Sequence, residues 1–200
     1  MRKTSLLVLF LTIFIDLLGF GIVIPLLPYF AKQYGASGIW VGIIVGVYSL
    51  MQFLFAPILG RISDRIGRRP VILISLAGSL VGYTLFAIAD GLAGLMVARI
   101  VAGIAGANIG TAQAYIADST SLENRAKGMG LIGAAFGLGF ILGPPIGGLM
   151  SHLGAAHGHA INFYPGLAAA ILSGIALLFA FFVLGESKHA AAPARRGLPP

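Results

Sequence analysis

Two ionisable side chains lie within stretches that are otherwise apolar enough to sit in a membrane. Asp16 is the only charged residue between Leu6 and Leu27, and Arg99 is the only one between Leu92 and Ala117. Placing a charge at the centre of a bilayer costs roughly 2.5–3.5 kcal/mol on insertion scales, so such residues are usually functional. A carboxyl at this depth is suited to exchanging a proton or binding a cation, whereas a guanidinium keeps its charge and needs a partner or water.

These properties predict that Asp16 is a proton-coupling or cation-binding site and that Arg99 faces other helices or an aqueous cavity. The structural alternative is that Asp16 stays protonated and hydrogen-bonds a neighbouring helix, while Arg99 acts as a packing clamp. The sequence leaves open whether the two side chains pair.

A stripe of small and polar residues follows Arg99 along one helical face. Spacings of 4, 3, 4 and 3 residues place on this face Arg99, Gly103, Gly106, Gly110 and Gln113. A face of this composition suits neighbouring helices or an aqueous cavity better than lipid. We expect a substrate cavity that is lined by Gln52, Tyr83, Asn108 and Gln113. Tyr115 is a further candidate, and ordinary packing is the alternative for each of these residues.

A second group of charges lies between two uncharged stretches, in the string Gly60-Arg-Ile-Ser-Asp-Arg-Ile-Gly-Arg-Arg-Pro70. Glycines at both ends of the string suit tight turns and predict a short loop. Charges of both signs, together with an aspartate at the end of a later stretch, predict a cytoplasmic gate that locks the helix ends in one state and releases them in another. Its predicted members are Gly60, Asp64, Arg65, Gly67, Arg68 and Asp118.

Glycines recur at intervals of four residues in the fifth apolar stretch, on either side of two prolines. Stacked glycines allow two helix backbones to touch, and proline removes an amide donor and bends a helix. The pattern predicts close packing at Gly139, Gly143, Pro144, Gly147 and Gly148. A bend at which helices rock against each other is an additional hypothesis.

Six apolar stretches carry these residues. Of the 200 residues, 58% are hydrophobic and 10% are charged, whereas soluble domains carry about 25% charged residues. Roughly 20 apolar residues cross the hydrocarbon core as a helix. We therefore predict an all-α membrane protein, a six-helix bundle over residues 1–186, with helices near 6–30, 40–60, 70–89, 92–117, 126–151 and 161–185.

Basic residues are distributed unevenly between the two ends of these helices. With both termini on one side, the opposite side receives Lys32 alone. The side with the termini receives Arg2, Lys3, Arg61, Arg65, Arg68, Arg69, Arg125, Lys127, Lys188, Arg195 and Arg196. The positive-inside rule therefore predicts that both termini are cytoplasmic. Residues 187–200 are rich in Ala, Pro and Arg and predict the start of a flexible cytoplasmic linker, beyond which we expect a second half.

The composition excludes several classes of function. The chain has no cysteine, which excludes a disulfide scaffold, a cysteine zinc site and a thiol nucleophile. It contains neither HExxH nor a P-loop, and Ser37, in a GxSG string, has no histidine at membrane depth to activate it. The net charge of +7 follows from membrane topology rather than from nucleic-acid binding. We expect no enzyme, no metal site and no cofactor.

Four motifs in chain order resemble the major facilitator superfamily, specifically its twelve-helix drug:proton antiporters, and among these the tetracycline-efflux proteins. Residues 60–69 resemble the signature loop between helices 2 and 3, and Arg99 with Gly103 resembles the helix-4 motif. Residues 139–148 resemble the antiporter motif of helix 5, and residues 16–28 resemble helix 1.

The resemblance implies one half of a transporter, built as two inverted three-helix repeats, which exports small amphipathic drugs by alternating access in a bacterial inner membrane. The proton gradient would be the driving force, and Asp16 and Arg99 would serve proton coupling. The partners would be the lipid bilayer, a small-molecule substrate and a carboxyl-terminal six-helix half. One departure concerns the substrate, because Gly82 precedes Tyr83 where tetracycline-efflux proteins have an acid. The alternatives are a uniporter or symporter for a metabolite, and a truncated half that does not transport.

Overall fold

Six helical spans form the structure, a computed structural model that describes residues 3–187, with side chains from Leu9 onward. Its α-helices are Lys3–Val23, Leu27–Gln33, Gly38–Ile66, Arg68–Ala87, Leu92–Ala105, Ile109–Ser119, Leu122–Ala156 and Phe163–Val183, with 3₁₀ turns at Ile24–Leu26 and Gly106–Asn108. Spans 1 to 6 are, in order, Leu9–Gln33, Gly38–Ile66, Arg68–Ala87, Leu92–Ser119, Leu122–Ala156 and Phe163–Val183. All regular structure within the described residues is helical, and the predicted fold class is confirmed. The predicted linker falls outside the described residues except for Ser187.

Each span is long and apolar enough to cross a membrane, with a mean hydropathy between 1.7 and 2.5. A helix satisfies its backbone hydrogen bonds within its own segment, which is what a chain surrounded by lipid requires. Two spans contain a single 3₁₀ turn. The turn in span 1 includes Pro25, whose ring leaves one backbone donor missing, and the turn in span 4 begins at Gly106.

The second span is longer than its apolar stretch and replaces the predicted loop between residues 60 and 70. Its helix continues to Ile66, and the backbone turns only at Gly67, where φ is +107°, before span 3 begins at Arg68. Gly60 lies inside the helix, so the turn predicted at Gly60 is wrong. Hydropathy identifies only the apolar part of a helix. Arginine has a favourable helix propensity, so the helix continues beyond that part into water.

The order of contacts between spans follows a repeat of three. Span 1 packs mainly on spans 5 and 6, span 3 on spans 4 and 6, and span 2 on span 4. If spans 1, 2 and 3 are exchanged with spans 4, 5 and 6, respectively, the contact between spans 1 and 5 becomes the contact between spans 4 and 2. The contact between spans 1 and 6 becomes that between spans 4 and 3, and the contact between spans 3 and 6 is unchanged. Because consecutive spans alternate in direction, two units of three spans each have opposite orientations, as an inverted repeat requires.

Spans 1 and 5 touch through their backbones. A Cβ atom at Gly143 would lie 2.6 Å from the Cα of Gly21, and one at Gly147 would lie 2.6 Å from the carbonyl oxygen of Ile22. Gly139 is similarly close to the backbone of span 1. Side chains at these positions would push the two helices apart, so the spacing of the glycines sets the distance between the spans.

Gly148 and Pro144 differ from these glycines. The packing predicted for Gly148 is not made within this half, since no atom of the described residues lies within 4 Å of a Cβ built there. The physical reason is that adjacent helical residues differ by about 100° in direction, and Gly147 already occupies the contact. Pro144 lies inside a helix that the structure carries unbroken from Leu122 to Ala156.

Two apolar clusters occupy opposite ends of the bundle. One includes Val23, Phe30 and Phe86, near the turns that join spans 1 to 2 and 3 to 4. The other includes Leu76 and Ile116, toward the end where Gly67 lies. Several polar side chains lie in the middle of the bundle, between the clusters.

Candidate functional site

A cavity of about 100 Å³ lies in the middle of the bundle and is lined by spans 1 to 5. Its polar lining consists of Thr12, Asp16, Tyr48, Gln52, Ser79, Tyr83 and Asn108. Apolar side chains form the rest of the wall. Three of the four residues predicted to line a substrate cavity, Gln52, Tyr83 and Asn108, are therefore brought together around Asp16.

Asp16 is directed toward this cavity from the middle of span 1. The side chains of Ser79 and Asn108 face its carboxyl group. Its Oδ1 atom is buried, yet it accepts no hydrogen bond from the described residues. A buried polar atom without a partner is costly and calls for water, a proton or a ligand. The carboxyl is therefore placed to exchange a bound species with the cavity.

Arg99 is buried beside the cavity, with 1% of the residue exposed. Its guanidinium carbon lies 4.3 Å from the ring centroid of Tyr48 and 5.9 Å from that of Phe20. Its Nε and Nη2 atoms have no hydrogen-bond partner among the described residues, and no ion pair joins Arg99 to Asp16 in that part of the chain. The electron-rich faces of two aromatic rings stabilise the buried cation in place of a carboxylate.

The predicted polar stripe along span 4 is divided by the 3₁₀ turn Gly106–Asn108. Three residues of 3₁₀ helix rotate the chain by about 60° more than three residues of α-helix. Gln113 consequently lies on the exposed face of span 4 and does not line the cavity within this half, and its place in a substrate cavity stays a prediction. Gln52 fixes the turn from the neighbouring span, since its Nε2 donates to the carbonyl oxygen of Gly106 at 2.8 Å.

Arg68 joins three spans at one end of the bundle. Its Nη1 lies 2.6 Å from Asp64 Oδ1, and its Nε donates to Asp118 Oδ2 at 3.1 Å. The same Nη1 donates to Ser63 Oγ at 2.6 Å. Arg65 is exposed and takes no part in this network, contrary to the prediction. Isolated surface ion pairs contribute little, but one guanidinium shared by two carboxylates fixes the ends of spans 2, 3 and 4 together.

Glu186 belongs to the same end, although no sequence motif pointed to it. Its carboxylate accepts hydrogen bonds from the backbone N–H groups of Arg68, at 2.9 Å, and Arg69, at 3.2 Å. These groups are the first free donors of span 3, where a helix attracts negative charge. The contact joins residues more than 110 positions apart, a distance over which sequence spacing carries no information.

Asn162 performs a similar task at the opposite end and was also missed. It is fully buried, and its Nδ2 donates to three backbone carbonyl oxygens, those of Phe86, Ala87 and Ala89. The Tyr34 hydroxyl donates to the carbonyl oxygen of Ala89 at 3.0 Å. Burial, together with the nearby Asp90 carboxylate, raises the pKa of Tyr34, so this hydroxyl remains a donor. The turns after spans 1, 3 and 5 are thereby held together.

We expect Asn162→Ala to lower the free energy of unfolding by about 1–3 kcal/mol, because it removes a fully buried amide and its hydrogen bonds to three backbone carbonyl groups. Thermal unfolding of the full-length protein in detergent measures the effect. Asn124→Ala is the matched control, since Asn124 is exposed and its amide bonds only the hydroxyl of Ser121. Equal unfolding temperatures for the two variants would show that the amide of Asn162 contributes nothing.

Comparison with known proteins places this arrangement among transporters. The Major Facilitator Superfamily profile matches residues 9–199. Tetracycline resistance protein, class C, of Escherichia coli is 45% identical over 188 residues, which cover 92% of this chain and 46% of the relative. Multidrug resistance protein 2 of Bacillus subtilis (strain 168) is 33% identical over 93% of this chain and 45% of its own length.

A solved structure shows the same architecture. The crystal structure of the human organic anion transporter MFSD10 (TETRAN) superimposes with a TM-score of 0.78 at 32% sequence identity, covering 92% of this chain and 48% of that one. The chain spans about half the length of the curated relatives it matches. With six membrane-spanning helices arranged around a central cavity, this integral membrane protein belongs to the Major Facilitator Superfamily.

Proposed function

We propose that the chain is the amino-terminal half of a proton-coupled antiporter that exports small amphipathic drugs by alternating access. The observation that carries the proposal is the Asp16 carboxyl, which faces a central cavity, has an unbonded oxygen and lacks a fixed cationic partner. Relatives named for tetracycline and multidrug resistance support drug export as the direction of transport.

In this mechanism, Asp16 binds either a proton or the substrate. When the cavity faces the exterior, protonation of the carboxyl releases the drug. When the cavity faces the cytoplasm, loss of the proton restores an anion that Ser79 and Asn108 stabilise, and a new drug molecule binds. A ligand shifts a conformational equilibrium only by its difference in affinity for the two states. In this proposal the proton therefore binds more tightly to one orientation of the cavity and the drug to the other.

Two arginines have separate tasks in this proposal. Arg68, held by Asp64 and Asp118, closes the cytoplasmic ends of spans 2 to 4 while the cavity faces outward. Arg99 stays charged and stacked on Tyr48, so it places a fixed positive charge beside the cavity.

The remaining half of the transporter would cover the most exposed spans. Only 11% of an apolar segment of span 2 and 22% of one of span 5 are buried. Large apolar side chains exposed on these spans include Ile43, Leu50, Phe53, Ile58, Phe140, Ile141 and Leu149. We propose that a second six-helix bundle packs on these faces and completes the cavity, with both termini of this chain in the cytoplasm of a bacterium.

The test is transport by the full-length protein in proteoliposomes. An imposed proton gradient is expected to drive drug against its concentration gradient, with protons moving in the opposite direction. Dissipating the gradient with a proton ionophore should stop uptake at once. Drug movement that ignores the gradient, or that accompanies protons in the same direction, would overturn the proposal.

A further inference from the structure

Glu186 accepts a hydrogen bond from the backbone of Arg68, the arginine whose side chain closes the proposed gate. Its carboxylate accepts three backbone hydrogen bonds, from Arg68 at 2.9 Å, Arg69 at 3.2 Å and Ser187 at 3.0 Å. The side chain of Arg68 extends away toward Asp64 and Asp118. Arg68 is therefore held at both of its ends, by the segment that follows span 6 through its backbone and by spans 2 and 4 through its guanidinium.

Gly67 makes room for this carboxylate. A Cβ at Gly67 would lie 2.8 Å from the carboxyl carbon of Glu186. The positive φ of Gly67, +107°, is accessible to glycine without strain. The turn at Gly67 thus brings the first two N–H groups of span 3 against the Glu186 carboxylate.

Further contacts fix the segment that carries Glu186. Arg69 Nη2 donates to the carbonyl oxygen of Phe181 at 2.6 Å, and its guanidinium lies 5.7 Å from the ring of Phe181. The Tyr115 hydroxyl donates to the carbonyl oxygen of Gly185 at 2.9 Å. Residues 181–187 are thus attached to both span 3 and span 4, and a displacement of this segment would act directly on the gate.

We infer that Glu186 is a positioning residue for the cytoplasmic gate, holding Arg68 in the register that lets it reach Asp64 and Asp118. Through this contact, movement of span 6 and of the chain that follows it would loosen or tighten the ion pairs. The inference rests on the gate role given to Arg68 under the proposed function. A carboxylate is required because it offers acceptors for several N–H groups and a negative charge at a helix N-terminus.

The test uses accessibility from the cytoplasmic side of the full-length transporter. Val71, one helical turn beyond Arg68, is 1% exposed, and Val71→Cys supplies a thiol in a segment that has no native cysteine; cysteines elsewhere in the protein are replaced by serine. Glu186→Gln is expected to raise the labelling rate by a membrane-impermeant maleimide about tenfold, since charge-assisted hydrogen bonds to the helix N-terminus are lost. Glu123→Gln is the matched control, because Glu123 lies at the same end and outside the network.

A second comparison separates positioning of Arg68 from a general stabilising effect. In an Asp64→Asn, Asp118→Asn background, in which Arg68 has already lost its ion pairs, Glu186→Gln should add little to the labelling rate. Glu186→Asp, which keeps the charge on a shorter side chain, should give an intermediate rate. An unchanged rate in Glu186→Gln, or the same increase in both backgrounds, would overturn the inference. Labelling requires no proton gradient, so a failure here is distinguishable from a failure of proton-coupled export.

Discussion

Asp16→Asn is expected to abolish proton-driven drug accumulation while leaving the protein folded. Asparagine has nearly the same size and can still interact with Ser79 and Asn108, but it cannot release a proton at any relevant pH. Transport against a concentration gradient should fall to the level of liposomes without protein. Proteoliposomes with an imposed proton gradient provide the measurement.

Asp90→Asn is the matched control for this variant. Asp90 is exposed in the turn between spans 3 and 4, at the end of the bundle and away from the cavity. Its variant should transport close to the wild-type rate. Proton-driven accumulation at the wild-type rate by Asp16→Asn would contradict the role assigned to the carboxyl, whereas loss of activity in both variants would indicate that any removal of an acid disturbs the protein.

Gly143→Val is expected to destabilise the bundle by about 1–3 kcal/mol, or to prevent its assembly, because the new side chain occupies the space of the span 1 backbone at Gly21. Gly143 contacts span 1 where neither backbone has a side chain to rearrange. The two helices must therefore separate along their length. Thermal unfolding and the yield of monodisperse full-length protein in detergent report the effect.

Gly148→Val provides the comparison within the same helix. Gly148 is exposed, and no atom lies within 4 Å of a Cβ at that position, so valine there meets no protein atom of this half. We expect a smaller loss of stability than in Gly143→Val. Equal losses of stability in the two variants would mean that helix propensity, rather than contact between spans 1 and 5, decides the outcome.

The sequence predicted the number of spans correctly because hydropathy and length determine which segments partition into a membrane. It did not predict where helices end in water. At Gly60, apolar character stops but the hydrogen-bonded helix continues for six more residues to Ile66. Only Gly67, with its positive φ, ends it.

The candidate site shows the same division between local and long-range information. Asp16, Gln52 and Asn108 could each be identified from the sequence, because a polar side chain at membrane depth is costly and therefore often functional. The structure brings all three to one cavity. Gln113 lies away from this cavity because spacing alone does not predict the 3₁₀ turn that precedes it. Glu186 was missed because its partners are determined by the packing of span 6 on span 3.

Substrate-induced proton release from the solubilised full-length protein tests most directly whether Asp16 exchanges a proton for drug. In weakly buffered detergent solution, at a pH where the carboxyl is protonated, adding drug to the wild-type protein is expected to acidify the medium, because binding displaces the proton. Asp16→Asn should release none, while Asp90→Asn should behave as the wild type does. Proton release of equal size from Asp16→Asn would contradict the proposed exchange, since the displaced proton would then come from another group.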